Sequence, residues 1–128
     1  MLNVVPEDRL YTKEHEWISI DGKKAKVGVT DHAEEQLGDI VYIELPKKGG
    51  NVKQMTPCGV IESVKAVSEI YAPVSGTVIE VNSTLNDHPE KVNQDPYGEG
   101  WMFVVEMSNP SEVSSLLKAP DYLGLVKA

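Results

Sequence analysis

Apolar residues in this chain alternate with polar ones in short runs, and turn-forming residues separate the runs. Trp17-Ile18-Ser19-Ile20 is followed by Asp21-Gly22, a pair that favours tight hairpins, and Ala25-Lys26-Val27-Gly28-Val29 returns. Further runs lie at 40–45, 59–64, 68–72, 77–81 and 101–106, with Gly, Pro and Asn between them. Seven such runs predict a small antiparallel barrel or sandwich. Two or three helices interrupt it. Asp31 with Glu34 three residues later predicts a capping-box start, and Gly38 a stop. Asn109-Pro110-Ser111-Glu112 predicts a second start, with Val113, Leu116 and Leu117 on one apolar face and Pro120 as the stop. A last short helix is expected over 121–127. The pattern therefore predicts an all-β fold with a few short helices, one of them C-terminal. It forms a single domain over 1–128, with its core at about 10–108 and a C-terminal helical segment at about 109–127.

Two longer-range features qualify that pattern. Ile43-Glu44-Leu45, a polar loop and Gly59-Val60-Ile61-Glu62 are echoed by Ile79-Glu80-Val81, a polar loop and Phe103-Val104-Val105-Glu106. Each half reads strand, long loop, strand, which suits two similar halves related by a pseudo-two-fold. The second of these loops, 82–100, is 19 residues long. Segments of that length inside a small domain are either functional or disordered.

The most informative stretch is Ile61-Glu62-Ser63-Val64-Lys65-Ala66-Val67-Ser68-Glu69-Ile70, nearly a palindrome about Lys65-Ala66. A two-residue hairpin loop there would pair Val64 with Val67, Ser63 with Ser68, Glu62 with Glu69 and Ile61 with Ile70. Lys65 would then stand at the tip. Lys-Ala is not the Asn-Gly or Asp-Gly that such a loop prefers, and Glu62 against Glu69 is a like-charge pair that costs stability. Local rule-breaking marks functional sites. A lysine at a hairpin tip is also, more simply, a solvated charge. The functional alternative is an amine presented for acylation, with a flexible stem on a rigid base acting as a covalent arm.

Composition narrows the options. The chain has 128 residues and a formal net charge of −8, from 20 acids against 12 bases. Such a surface repels phosphate backbones and suits partners with basic patches, so no nucleic acid is expected. No run approaches the roughly 20 apolar residues of a membrane helix. The N-terminal residues 1–8 show neither a charged n-region nor a long apolar stretch, so they read as neither signal nor transit peptide, and a cytoplasmic protein is expected. Cys58 is the single cysteine, which excludes an internal disulfide. His15, His32 and His88 lack metal-ligand spacing with it or with one another, so no metal site is expected. No catalytic-serine or phosphate-loop motif is present, and Trp17, Trp101 and Phe103 read as core aromatics.

Glu62-Ser63-Val64-Lys65-Ala66-Val67-Ser68 followed by Ala72-Pro73-Val74-Ser75-Gly76 resembles the lipoylation segment of glycine cleavage H proteins. Tyr11-Thr12-Lys13-Glu14-His15-Glu16-Trp17, Gly28-Val29-Thr30-Asp31-His32-Ala33, Leu37-Gly38-Asp39-Ile40-Val41, and Val92-Asn93 through Asp95-Pro96-Tyr97-Gly98-Glu99-Gly100-Trp101 resemble other segments of that family. The resemblance runs in register from about Leu10 to Tyr122. It implies the lipoyl/biotinyl barrel-sandwich hybrid of two antiparallel sheets, with lipoate in amide linkage to Lys65. It further implies that Glu62, Ser63, Val64, Ala66 and Gly76 help an attaching enzyme, a lipoate ligase or lipoyltransferase, recognise the site, with Gly76 in a turn of positive φ.

By the same resemblance the chain is a non-catalytic carrier. It would shuttle the aminomethyl group of glycine from a pyridoxal-phosphate glycine decarboxylase to a tetrahydrofolate aminomethyltransferase and be reoxidised by dihydrolipoamide dehydrogenase. A mobile carrier visiting three enzymes favours a monomer. A lipoyl-lysine arm spans about 14 Å, so it could fold back on its own body. Glu14, Glu16 and Glu69, near Thr30, Asp31 and His32, are candidates to line a cleft that shelters a cationic cargo from water; each also reads as a solvated surface group. Biotinyl domains flank their lysine with methionines, whereas Val64 and Ala66 flank it here. Lipoyl domains of 2-oxo acid dehydrogenases are shorter and lack the Glu14-His15-Glu16-Trp17 segment. A lipoyl-relay protein, or a lipoyl domain serving another complex, would use the same residues, and an enzyme built on Cys58 and a histidine is the reading from a different class.

Overall fold

Alternation and turn chemistry build the first hairpin. β2 (Glu16–Asp21) and β3 (Lys24–Val29) pair through Asp21 and Lys24, so the two-residue turn is Gly22-Lys23 and Gly22 takes φ 62°, one residue beyond the expected Asp21-Gly22. The computed structural model describes residues 5–127; the first four residues of the N-terminal segment read above for a targeting signal lie outside the described residues. The remaining elements are β1 (Leu10–Tyr11), α1 (Asp31–Leu37), β4 (Ile40–Glu44), β5 (Asn51–Val52), β6 (Pro57–Ser63), β7 (Val67–Tyr71), β8 (Gly76–Val81), α2 (Thr84–Asp87), α3 (Lys91–Gln94), β9 (Phe103–Met107), a 3-10 turn (Pro110–Ser115), β10 (Leu117–Lys118) and α4 (Ala119–Lys127).

They form two antiparallel sheets, as the alternation predicts. The larger has the order β10-β1-β2-β3-β9-β8-β5 and the smaller β4-β6-β7. Their inner faces meet in one cluster that includes Ile18, Val27, Ile43, Ile61, Ile70, Val78, Phe103 and Val105. The repeat is visible in the pairing. β4 pairs with β6 and β8 with β9, both antiparallel, and each pair carries one register irregularity.

The opposite face of the large sheet is covered too. Tyr11, Trp17, Ala119 and Tyr122 form a second buried cluster, so Ile18 and its neighbour Trp17 are both fully buried on opposite faces of β2. Close approach here requires glycine: a Cβ on Gly28 would lie 2.5 Å from the Trp17 ring. Trp17 and Phe103 are thus core residues, in different clusters, whereas Trp101 is only partly buried, with the Lys26 ammonium 5.1 Å from its ring centroid.

Several expected boundaries move. Thr30, not Asp31, caps α1: its side chain accepts the Ala33 N–H, and Asp31 is the first helical residue. Gly38 ends the helix as expected, at φ 82°. The 82–100 segment is ordered and contains α2 and α3. Asn109 opens only the short 3-10 turn, because the Glu112 carboxylate accepts from the Ser75 N–H and hydroxyl at 2.7 and 2.8 Å rather than folding back on its own helix. Leu117 then pairs with Tyr11 as a strand, so the C-terminal segment is not wholly helical. Pro120 lies in the first turn of α4 instead of ending a helix, a place where its missing N–H is not needed. The short strands β1, β5 and β10, two residues each, carry too little alternation to be visible in the sequence.

Candidate functional site

β6 and β7 form the hairpin that carries Lys65, but its register is displaced from the palindrome by two residues. Glu62 faces Val67, Ile61 faces Ser68, Val60 faces Glu69 and Gly59 faces Ile70. Lys-Ala cannot readily supply the positive φ angles of a two-residue loop, and Ser63 builds a wider turn instead. Its hydroxyl oxygen accepts the Lys65 and Ala66 N–H groups at 3.3 and 3.1 Å, and its own N–H donates to the Ala66 carbonyl at 2.8 Å. A displacement by an even number keeps every side chain on its expected face, so Ile61 and Ile70 still point into the core. The expected opposition of Glu62 and Glu69 does not occur, and the like-charge cost goes with it.

The tip is exposed and braced. Residues 64–69 are all exposed, Val64 and Val67 to 68% each. The Val64 N–H donates to the Asp39 carbonyl at 3.0 Å, tying the tip to the link between α1 and β4. A Cβ placed on Gly38 would sit 3.5 Å from Lys65 Cε, so the lysine stem passes along bare backbone there. The three strands of the small sheet carry Glu44, Glu62 and Glu69 and no Lys or Arg, so the face leading to Lys65 is acidic. Gly76 lies in the other sheet, at the start of β8. Its φ is positive, at 156°, as expected, but it is a strand residue, not a turn: it pairs with Val52 and Met107, and a Cβ on it would come within 2.0 Å of the Glu106 carbonyl oxygen. Its role visible here is close packing.

Three of the acids expected to line a cleft act on Tyr71: Glu69 first, then burial, then Glu14 and Glu16 push its pKa up. Glu16 itself is not at a surface. It is 2% exposed, accepts from Thr12 Oγ1 and the Tyr71 N–H, and burial pushes its carboxyl up to about 7. Thr12 organises this turn by accepting the Glu14 and Glu16 N–H groups, both at 3.2 Å. His15, held at φ 70°, lies 4.7 Å from the His32 ring, and burial followed by His32 lowers its pKa. The Tyr122 hydroxyl is 2.8 Å from both His15 Nδ1 and Thr30 Oγ1.

Asp31 stands on the other side of α1's first turn, where its N–H meets the Tyr97 hydroxyl at 3.2 Å. Asp31, Glu34 and Glu35 bring carboxylate oxygens within 4.8 Å of one another. Burial, then a hydrogen bond to Asp31, push Glu34 up to about 7. The structure thus ties Glu16 to the Tyr71 backbone, links Thr30 to His15 and His32 through Tyr122, and places Asp31 with Glu34 and Glu35. Tyr71, Tyr122, His15 and Asn93 were not expected at the site. His15 and Asn93 lie within segments that resemble the family, but their places, like those of Tyr71 and Tyr122, rest on tertiary contacts.

Two antiparallel sheets with Lys65 exposed on a braced hairpin tip suit a carrier-type domain. The glycine cleavage H-protein family model matches residues 9–128. The chain is 51% identical over 121 residues to the glycine cleavage system H protein of Geobacillus kaustophilus (strain HTA426), covering 94% of this chain and 95% of that one. It is 51% identical over 118 residues to that of Bacillus subtilis (strain 168), covering 92% and 93%. The crystal structure of a glycine cleavage system H protein from Mycobacterium marinum superposes with a TM-score of 0.89 at 41% identity, covering 97% of this chain and all of that one. The chain belongs to the glycine cleavage H-protein family.

Proposed function

We propose that Lys65 carries lipoate in amide linkage and that the chain shuttles the aminomethyl group of glycine between the decarboxylase and the folate-dependent aminomethyltransferase, with dihydrolipoamide dehydrogenase restoring it. The observation that carries this reading is the exposed Lys65 amine on a tip fixed by Ser63 and Asp39. A primary amine with open space around it and a stem lying against glycine backbone suits a long acyl group. Once attached, that group supplies a dithiolane able to accept cargo and electrons.

The chain's own residues present and shelter the arm. Glu69 is four residues from Lys65, at most about 13 Å along extended chain at about 3.3 Å per residue, so its carboxylate is within reach of an arm of about 14 Å. Glu14 and Glu69 hold a cationic cargo there by charge, while Glu16 supports Thr12 and Tyr71 from inside. The small sheet's acidic face favours basic surfaces on the attaching ligase and on the enzymes that use the arm. Intact mass tests the reading: co-expression with a lipoate ligase adds one lipoyl group, and Lys65→Arg abolishes the addition. A Lys65→Arg chain that still gained the group would overturn the assignment.

A further inference from the structure

The 82–100 segment packs against α1 and β4, and Asn93 hydrogen-bonds the link between them. Asn93, in α3, uses both ends of its amide on the link between α1 and β4. Its Oδ1 accepts the Ile40 N–H at 2.9 Å, and its Nδ2 donates to the Gly38 carbonyl at 2.9 Å and to Glu34 Oε1 at 3.2 Å. Those bonds fall on either side of Asp39. Gly38 is also held from within α1, its N–H donating to the Glu34 carbonyl at 2.9 Å. The link so fixed is the one whose Asp39 carbonyl takes the Val64 N–H and whose Gly38 borders Lys65 Cε. Asn93 is itself rigidly set: its neighbour Val92 is fully buried in the main core, and Gly100 closes on the same turn, where a Cβ would lie 2.9 Å from the Lys91 carbonyl oxygen.

We infer that Asn93 is a positioning residue for Lys65, fixing the Gly38–Asp39 link against which the hairpin tip is braced. This rests on Lys65 being the loaded amine. A tip free to rock samples the geometry that an attaching enzyme requires less often, which weakens productive docking more than the chemistry that follows it.

The experiment compares wild type with Asn93→Ala and Asn93→Asp. The aspartate keeps the size and the acceptor for Ile40 but has no donor for Gly38, so it reports on the brace even where the alanine variant folds poorly. With purified lipoate ligase and the unmodified chain as substrate, KM is expected to rise about fivefold in both variants, with kcat within about twofold of wild type. Hydrogen exchange followed by NMR is expected to speed up about tenfold at the Val64 amide, while the Met107 amide stays unchanged. Wild-type KM and Val64 exchange in both variants would overturn the role of Asn93. Faster exchange with an unchanged KM would also overturn it, since the brace would then not govern presentation. A wild-type chain that the ligase does not load at Lys65 would sink the carrier reading and this role with it.

Discussion

Glu16 sets a buried carboxyl between the two sheets, from the start of β2 to the backbone of β7. Its pKa of about 7 lies above the ordinary 4.5, so the folded chain keeps a proton that the unfolded chain releases. The stability tied to that proton is full below about pH 4.5 and is lost as pH rises through 7. From the size of the shift the loss amounts to about 3 kcal/mol. Chemical denaturation between pH 5 and 9 is therefore expected to show wild type losing stability relative to Glu16→Gln, which has nothing to titrate there. Parallel curves for the two would show that Glu16 is already ionised in the folded state. Cys58, half-buried in β6 and pushed up to about 12 by burial and then by Glu16, stays a thiol in the folded chain across that range, and its ionisation in the unfolded chain near pH 9 is common to both variants.

At the scale of elements, β8 and β9 join the repeat's second half to the large sheet, and Gly76 in β8 leaves no room for a side chain against β9. Any side chain there meets the Glu106 carbonyl at 2.0 Å, so β8 must move away from β9 to accept one. Gly76→Ala is expected to destabilise the fold by about 2–3 kcal/mol, seen as a lower denaturation midpoint with an unchanged slope. Loading at Lys65 would continue in whatever fraction stays folded, because the glycine is on the other sheet from the hairpin. A loading defect in the folded variant, without loss of stability, would instead return Gly76 to a recognition role. The tip itself depends on one hydroxyl, since Ser63 sets the turn width and hence the register of β6 against β7.

For the whole molecule, the C-terminus closes the outer face of the large sheet. The Tyr122 ring stacks on Tyr11 at 4.6 Å and 9°, and its hydroxyl bonds Thr30, the cap of α1, and His15. One residue of α4 thus joins the N-terminal strand to the helix that leads to the tip. Tyr122→Ala is expected to cost about 4 kcal/mol, by loss of a buried aromatic. Tyr122→Phe keeps the stack and loses only the hydroxyl, costing about 1–2 kcal/mol. Equal losses in the two variants, measured by thermal or denaturant unfolding, would show that packing contributes little and the hydroxyl network carries the attachment.

Much of this protein was written locally. Alternation placed the seven longer strands, Gly38 announced the end of α1, and the segment around Lys65 announced an exposed amine, because side-chain period, turn chemistry and exposure are properties of neighbouring residues. What depended on distant partners was not written there. The hairpin's register followed from how Ser63 shaped its turn, β1 became a strand by pairing with β2 and β10, and β10 by pairing with β1, and Glu112 left its own turn to hold Ser75. Glu16 reads in sequence like any exposed acid, and only the meeting of the two sheets took it out of water and raised its pKa. Asn93 likewise gained its meaning 53 residues away, on Ile40. Backbone preference and pattern act over a few residues, whereas burial and hydrogen-bond partnership are decided by which surfaces the folded chain brings together.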